Sequence, residues 1–172
     1  KKAEDRNIVV IGLIGPNEMK YLKGVNKKAE EILAQLSKIL AKSNQAILLT
    51  PEKNSVLEFV GKKYLEFRGK KIFEIAPLEE DYEKHLNVDL GEIISCAKWR
   101  NQPSKFNEEC DLMICVGYGA MVLAEMGFSR YYNPKRILVI KELITSEMPK
   151  EVNESLDIKY VSIEELDKEI RK

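Results

Sequence analysis

The segment from Cys110 to Ile140 constrains the fold more than any other part of the chain. Leu112 to Val116 is an unbroken apolar run, short enough for a strand buried on both faces. Gly117-Tyr118-Gly119 follows as a turn with no side-chain bulk at its two glycines. Ala120 to Tyr132 then reads as a helix ended by Asn133-Pro134, and Arg136 to Ile140 as a second apolar strand. Strand, glycine turn, helix and strand in that order make a crossover unit, which joins parallel strands.

The helix of this unit carries Ala120, Met121, Val122, Leu123, Ala124, Met126 and Phe128, leaving no broad polar face before Arg130. Such a helix is expected to be packed on more than one side. Glu125 sits in its middle, one turn before Ser129. A carboxylate there lines a cleft, caps a contact with a neighbouring subunit, or simply points at water.

The rest of the chain repeats the unit. Asn7 to Ile14, Ala46 to Thr50 and Lys71 to Ala76 read as buried strands, each followed by a turn signal such as Gly15-Pro16-Asn17 or Pro77. A helix carries Leu22, Val25, Ala29, Ile32, Leu33, Leu36, Ile39 and Leu40 on one stripe. Ser55 and Glu58 have capping-box spacing and open a second helix, with Val56, Phe59, Val60, Tyr64 and Phe67 inward and a stop at Arg68-Gly69. Leu78 to Asn87 reads as a loop, Asp89 to Trp99 as a short helix, and Pro103 to Glu109 as a lead into the central strand. Lys141 to Leu156 reads as a surface connection and Ile158 to Val161 as an edge strand. Ser162 to Glu165 forms a second capping box before the final helix. The expectation is one α/β domain over residues 1–172: a three-layer, open, mostly parallel sheet with helices on both faces.

Composition removes several functions. The 28 basic and 28 acidic residues cancel, so nothing points to nucleic acid or to an acidic membrane surface. No apolar run approaches the length of a membrane span, and no secretory signal opens the sequence. Cys96, Cys110 and Cys115 form no CxxC pair and read as reduced, buried thiols, which fits a cytoplasmic protein. The only histidine, His85, has no partners at metal-ligand spacing, and no metal or cofactor is called for.

In an open parallel sheet, ligands bind beyond the carboxyl ends of the strands, where the strand order switches. Gly12 to Asn17, Thr50 to Ser55 and Gly117 to Ala120 are expected to gather there. Gly12 and Gly15 leave room for a ligand at the backbone, although their spacing is neither GxGxxG nor a P-loop. Free amides after Gly119 suit an anion, most simply a phosphate. Glu125, further along the helix, could meet the attached sugar as nucleophile or as stabiliser of an oxocarbenium-like centre. Arg100, between Trp99 and Asn101, either presents its guanidinium to a phosphate or pairs with a surface carboxylate.

Trp99-Arg100-Asn101, and Cys110-Asp111 through Val116-Gly117-Tyr118-Gly119-Ala120, resemble the SMF/DprA–LOG superfamily of Rossmann-like nucleotide-binding proteins. In its Lonely Guy (LOG) branch the strand ends in Pro-Gly-Gly-x-Gly-Thr-x-x-Glu. Those enzymes cleave nucleoside monophosphates to base and ribose 5-phosphate. The resemblance implies that Arg100, Gly117, Gly119 and Ala120 contact phosphoribose, with Asn101 and Tyr118 beside them. This chain departs from the motif at Val116, at Ala120 in place of Thr, and at Val122-Leu123 in place of glutamates. Ala124-Glu125-Met126-Gly127-Phe128-Ser129 is also similar to the Glu-x-Gly-x-Ala signature of nucleoside 2-deoxyribosyltransferases. That likeness implies Glu125 as glycosyl nucleophile, with Ser129 replacing the Ala.

Three functions remain open: a protein that binds a nucleoside monophosphate or related phosphoribosyl ligand, an N-glycosidic hydrolase or transferase using Glu125 and Arg100, and a non-catalytic interaction module. The first is carried forward, and a homo-oligomer, such as a homodimer, is expected; in the third the apolar helix would serve the dimer interface.

Overall fold

The computed structural model describes residues 8–132 and 135–172. The strand start expected at Asn7 and the helix stop expected at Asn133-Pro134 lie outside them. In chain order the elements are β1 (Val10–Ile14), α1 (Met19–Val25), α2 (Ala29–Lys42), β2 (Ala46–Leu49), α3 (Val56–Glu66), β3 (Ile72–Ala76) and β4 (Glu92–Ser95). Then follow α4 (Gln102–Glu109), β5 (Leu112–Cys115), α5 (Ala120–Phe128), β6 (Ile137–Ile140), α6 (Lys150–Ser155), β7 (Ile158–Val161) and α7 (Leu166–Ile170).

The strands form one seven-stranded sheet in the order β4-β3-β2-β1-β5-β6-β7, parallel at every pairing. The fold is therefore α/β and Rossmann-like, with every carboxyl strand end on one edge. The unbroken apolar runs divide by alternation between two cores. Leu112 and Ile114 of β5 join Leu22, Leu33, Leu36, Val60 and Leu166 on one face. Met113 and Cys115 join Phe106, Val122 and Met126 on the other. Chain direction across the sheet reverses between β1 and β5, so a crevice opens above that pair.

Local chemistry explains where the elements differ from expectation. The helix expected from Leu22 to Leu40 is two helices, because Asn26 takes extended backbone and its Oδ1 accepts the Lys28 N–H at 2.9 Å. The helix expected over Asp89 to Trp99 is instead the edge strand β4, whose half-buried Ile93 and Ile94 pair with β3. A short 3-10 turn, Trp99–Asn101, then enters α4, which Pro103 opens in its first turn. The reverse turn after α3 is taken by Arg68 at φ 63°, and Phe67 lies partly exposed instead of inward. Lys141 to Leu156, expected as a connection, contains α6.

The helix expected to reach Tyr132 stops at Phe128 and continues as a 3-10 turn, Ser129–Tyr131. It is not packed all round. Val122, Glu125 and Met126 are buried, while Met121 at 54 %, Leu123 at 47 % and Phe128 at 36 % are exposed. The second capping box forms, with Ser162 N–H donating to Glu165 Oε2 at 2.9 Å; at the first, Ser55 Oγ accepts the Glu58 N–H at 3.2 Å, but the Glu58 carboxylate reaches one residue further back and accepts the Asn54 N–H at 3.1 Å.

Candidate functional site

Three chain turns leave the carboxyl edge of the sheet together: Gly15-Pro16-Asn17 after β1, Thr50-Pro51-Glu52 after β2, and Val116 to Gly119 after β5. Between them lies a cleft of about 190 Å³. Gly15, Pro16 and Asn17 form one wall, Thr50, Glu52 and Ser55 another, and Trp99, Gln102, Met121 and Glu125 close the third. A second hollow of about 290 Å³ adjoins it across Pro16 and Met121, lined by Tyr21, Tyr118, Gly119 and Ala120.

The β5–α5 turn fits only because its glycines lack side chains. Gly117 sits at φ +124°, and a Cβ there would meet Leu22 Cδ2 at 2.4 Å. Gly119 is the extended N-cap of α5 and places no side chain on the first amides of the helix. The first N–H groups of a helix have no partner within it, so those of α5 face the second hollow with the positive end of its dipole.

Met121 and Glu125 are four residues apart, so both face the cleft. Glu125 is only 7 % exposed. Its Oε2 accepts a hydrogen bond from Gln102 Nε2 at 3.1 Å, and the same nitrogen donates to Thr50 Oγ1 at 3.1 Å. Burial pushes the Glu125 carboxyl up to about 7; the Gln102 bond holds it down in part, and the charge of Glu52 adds to the rise. Glu52 is itself raised by burial, with His85 partly offsetting. Beneath the site Cys115 is fully buried, and burial pushes its thiol up to about 12, far from a thiolate nucleophile.

The residues singled out in the sequence divide between this crevice and elsewhere. Glu125 and Gly15 line the cleft, and Gly15, Tyr118, Gly119 and Ala120 line the second hollow. Gly117 lies beneath them, under Pro16 and Leu22. Gly12 is away from the crevice: its missing side chain admits the Phe106 ring, which a Cβ would meet at 2.6 Å. Arg100 is exposed and is not among the lining residues, because the 3-10 turn directs Trp99 to the cleft in its place. Asn101 turns away and donates to the Cys96 carbonyl at 3.1 Å. Ser129 is buried, and its hydroxyl donates to the Met126 carbonyl at 2.6 Å.

Gln102 was not singled out in the sequence, yet it braces Glu125. Its signal was available: a polar side chain beside a proline, at the start of a helix. Among the described residues, no group of three or more His, Cys, Asp or Glu side chains is placed to hold a metal ion, and no helix is long and apolar enough to cross a membrane.

The fold and crevice place the chain in a class of Rossmann-like proteins with a ligand-sized hollow at the switch point. Within that class it is similar to the molybdenum cofactor binding protein of Rippkaea orientalis, at 19 % identity and TM-score 0.73, over 98 % of this chain and 100 % of that one. It is also similar to the molybdenum cofactor carrier protein of Chlamydomonas reinhardtii, at 14 % identity and TM-score 0.71, over 95 % and 96 %. A third similar structure is TM1055, at 16 % identity and TM-score 0.74, over 95 % and 99 %. At these identities the likeness establishes the fold. No protein-family model matches the sequence, and no curated protein does.

Proposed function

We propose that this protein binds a small phosphorylated ligand, a nucleoside monophosphate or related phosphoribosyl compound, along the crevice above β1 and β5. The observation that carries it is the pairing of two unlike ends. The uncapped amides at the start of α5 suit the phosphate, and the cleft between Trp99 and Glu125 suits the organic body. Five residues of helix separate Ala120 from Glu125, about 8 Å along the axis, the scale of a phosphoribosyl unit. The fold neighbours that bind or carry the molybdenum cofactor make an organic cofactor the second ligand class to test.

A specific feature favours an N-glycosidic hydrolase or transferase as the second reading. Glu125, raised to about 7, opens onto the cleft next to Glu52. A carboxyl poised near neutrality could serve as acid or nucleophile at an anomeric carbon. The apolar flank of α5, with Leu123 and Phe128 exposed, supports assembly with a second copy.

A thermal-shift titration with ribose 5-phosphate, nucleoside monophosphates and free nucleosides tests the first reading. Ligand at a hundredfold excess over its dissociation constant adds about 2.7 kcal/mol, seen as a raised melting temperature. The expected result is stabilisation by 5′-phosphates and by ribose 5-phosphate. Absence of any shift would sink it. Base release by wild type, lost in Glu125→Gln, would convert the binder into the enzyme.

A further inference from the structure

The crevice is charged on one side only. Glu52 and Glu125 both line the cleft, and among the described residues no lysine, arginine or histidine lines it with them. The second hollow has no charged side chain in its lining, so the amides and dipole of α5 are its positive feature. The two carboxylates are near enough for the charge of Glu52 to act on Glu125. Taking a carboxylate out of water is costly, and a second like charge adds to the cost. A positive charge brought in by the ligand relieves both.

The nearest cations stand outside. A neighbouring hollow of about 390 Å³ shares Glu52 and Trp99 with the cleft and carries Lys53, Lys84 and His85. Lys53 Nζ donates to the Glu83 carbonyl at 2.7 Å, Lys84 pairs with Asp81, and His85 partly offsets Glu52. None of the three lines the cleft itself.

With a phosphate at the start of α5, the span of about 8 Å along the helix brings the sugar beside Glu125. The group on the anomeric carbon then meets the remaining walls, where Trp99 and Glu52 stand. An aromatic ring there has an indole face to stack on, and a positive charge on it is drawn to that face and to both carboxylates. Adenine, guanine, cytosine and uracil are neutral near pH 7 and supply no such charge. A pyridine ring joined to the sugar through its nitrogen carries a fixed one, on the very atom next to the sugar.

We propose that the cleft selects a phosphoribosyl ligand whose base is an aromatic cation, of the N-ribosylpyridinium kind, through Glu52, Glu125 and Trp99. This rests on the crevice being the ligand site and names the ligand class within it. The selection depends on pH. Facing Glu125 are Glu52 from the β2–α3 loop, Gln102 from α4 and the neutral Cys115 thiol from β5, while His85 faces Glu52. Glu125 is ionised above about 7 and protonated below it, so the preference for a cation is strongest above pH 7 and fades as pH falls through it.

Calorimetric titration at pH 8 and pH 6 tests it on wild type, Glu52→Gln and Glu125→Gln. The probes are nicotinamide mononucleotide, its reduced dihydropyridine form, AMP and ribose 5-phosphate. The oxidised and reduced mononucleotides share phosphate, ribose and carboxamide and differ by one hydride, which removes the ring's charge. Their phosphates titrate alike, so the ratio of their affinities isolates the ring. At pH 8 the oxidised form is expected to bind wild type about tenfold more tightly than the reduced form or AMP. That ratio should fall to about threefold at pH 6 and in either variant. Equal binding of the two forms at pH 8, with ribose 5-phosphate bound, overturns charge selection and leaves the phosphate site standing. A tenfold ratio unchanged at pH 6 and in both variants overturns it too, since the carboxylates are then not its source. Binding of the oxidised form without ribose 5-phosphate binding keeps the cation-selecting cleft and removes the phosphate end. Failure of every probe to bind overturns the ligand site and the selection together. The wild-type ratio and its pH dependence decide the matter even where a variant fails to fold.

Discussion

Two buried carboxylates, at two places in the sheet, share a titration range and differ in almost everything else. Glu74 lies in β3 beside the edge strand, fully buried, with Oε1 accepting the Leu90 N–H at 3.1 Å. Burial pushes it up to about 7; amides of Leu90 and Gly91 hold it down, and Asp89 adds to the rise. Its second oxygen is enclosed, with no partner among the described residues. Glu125 is also raised to about 7 by burial, yet its second oxygen opens onto the cleft. Desolvation does the same thing in both places, so a raised carboxyl is not by itself the mark of a site. What distinguishes Glu125 is a route from the outside to its free oxygen. Glu74 is a fastening for the loop that closes over α3, and Gly91 lies so tight on β3 that a Cβ would meet the Ile72 carbonyl at 2.2 Å.

The largest effect expected of this pair is on stability. Each carboxyl has a folded value near 7 against 4.5 in the ordinary state, so the folded protein holds more protons than the unfolded chain between those limits. Stability therefore falls as pH rises from about 4.5 through 7. A shift of that size corresponds to roughly 3 kcal/mol per group as an upper figure. Glu169, lowered to about 2 by Lys159 and Lys172, changes below this window. Urea unfolding at pH 5 and pH 8 should show wild type weaker at pH 8. Glu74→Gln and Glu125→Gln should each remove about half of the difference, and the double variant most of it. A Glu74→Gln protein as pH-sensitive as wild type would refute the assignment.

Ligand binding should split what stability joins. Ala120 is the first residue of α5, and Gly119 before it is extended, at φ −170° and ψ 167°. Proline fits at both counts, as first helical residue and after an extended neighbour. Ala120→Pro thus removes one amide from the proposed phosphate end and leaves the helix intact. Affinity for ribose 5-phosphate should drop about tenfold, near 1.4 kcal/mol, with an unchanged melting temperature in the free protein. Glu74→Gln should leave that affinity unaltered. A phosphate affinity indifferent to Ala120→Pro would move the anion elsewhere.

The same contrast shows what the sequence could convey. Strand runs such as Leu112 to Cys115 and Ile137 to Ile140 are apolar without interruption, because two cores claim alternate residues, and that pattern is readable locally. β4 is not: it pairs on one side only, and its Ile93 and Ile94 sit between polar ends that satisfy a helix equally well. Glu125 was conspicuous as a charge in an apolar helix. Glu74 is likewise a charge within an apolar strand, though it was not singled out in the sequence, and only the fold reveals that one is sealed and the other open. Arg100 and Gln102 are two residues apart on the same entry to α4. Which of them reaches the cleft depends on a 3-10 turn that neither composition nor spacing announces.

The smallest expected effect isolates the one interaction the two carboxylates do not share. Glu52 contributes a like charge to Glu125, whereas the like charge beside Glu74 is Asp89. In both cases it ranks behind burial. Glu52→Gln keeps the cleft's shape and deletes that charge, so ionisation of Glu125 becomes easier. The midpoint of Glu125, followed by carboxyl-carbon NMR, should fall by a fraction of a pH unit, and that of Glu74 should stay where it is. The size of the fall also measures how wet the cleft is. Two charges interact about four times more strongly at an effective dielectric of 20 than in bulk water. A fall too small to resolve would mean that water fills the space between Glu52 and Glu125 and screens them. Equal movement of Glu74 would mean that the variant had altered the fold and not the charge.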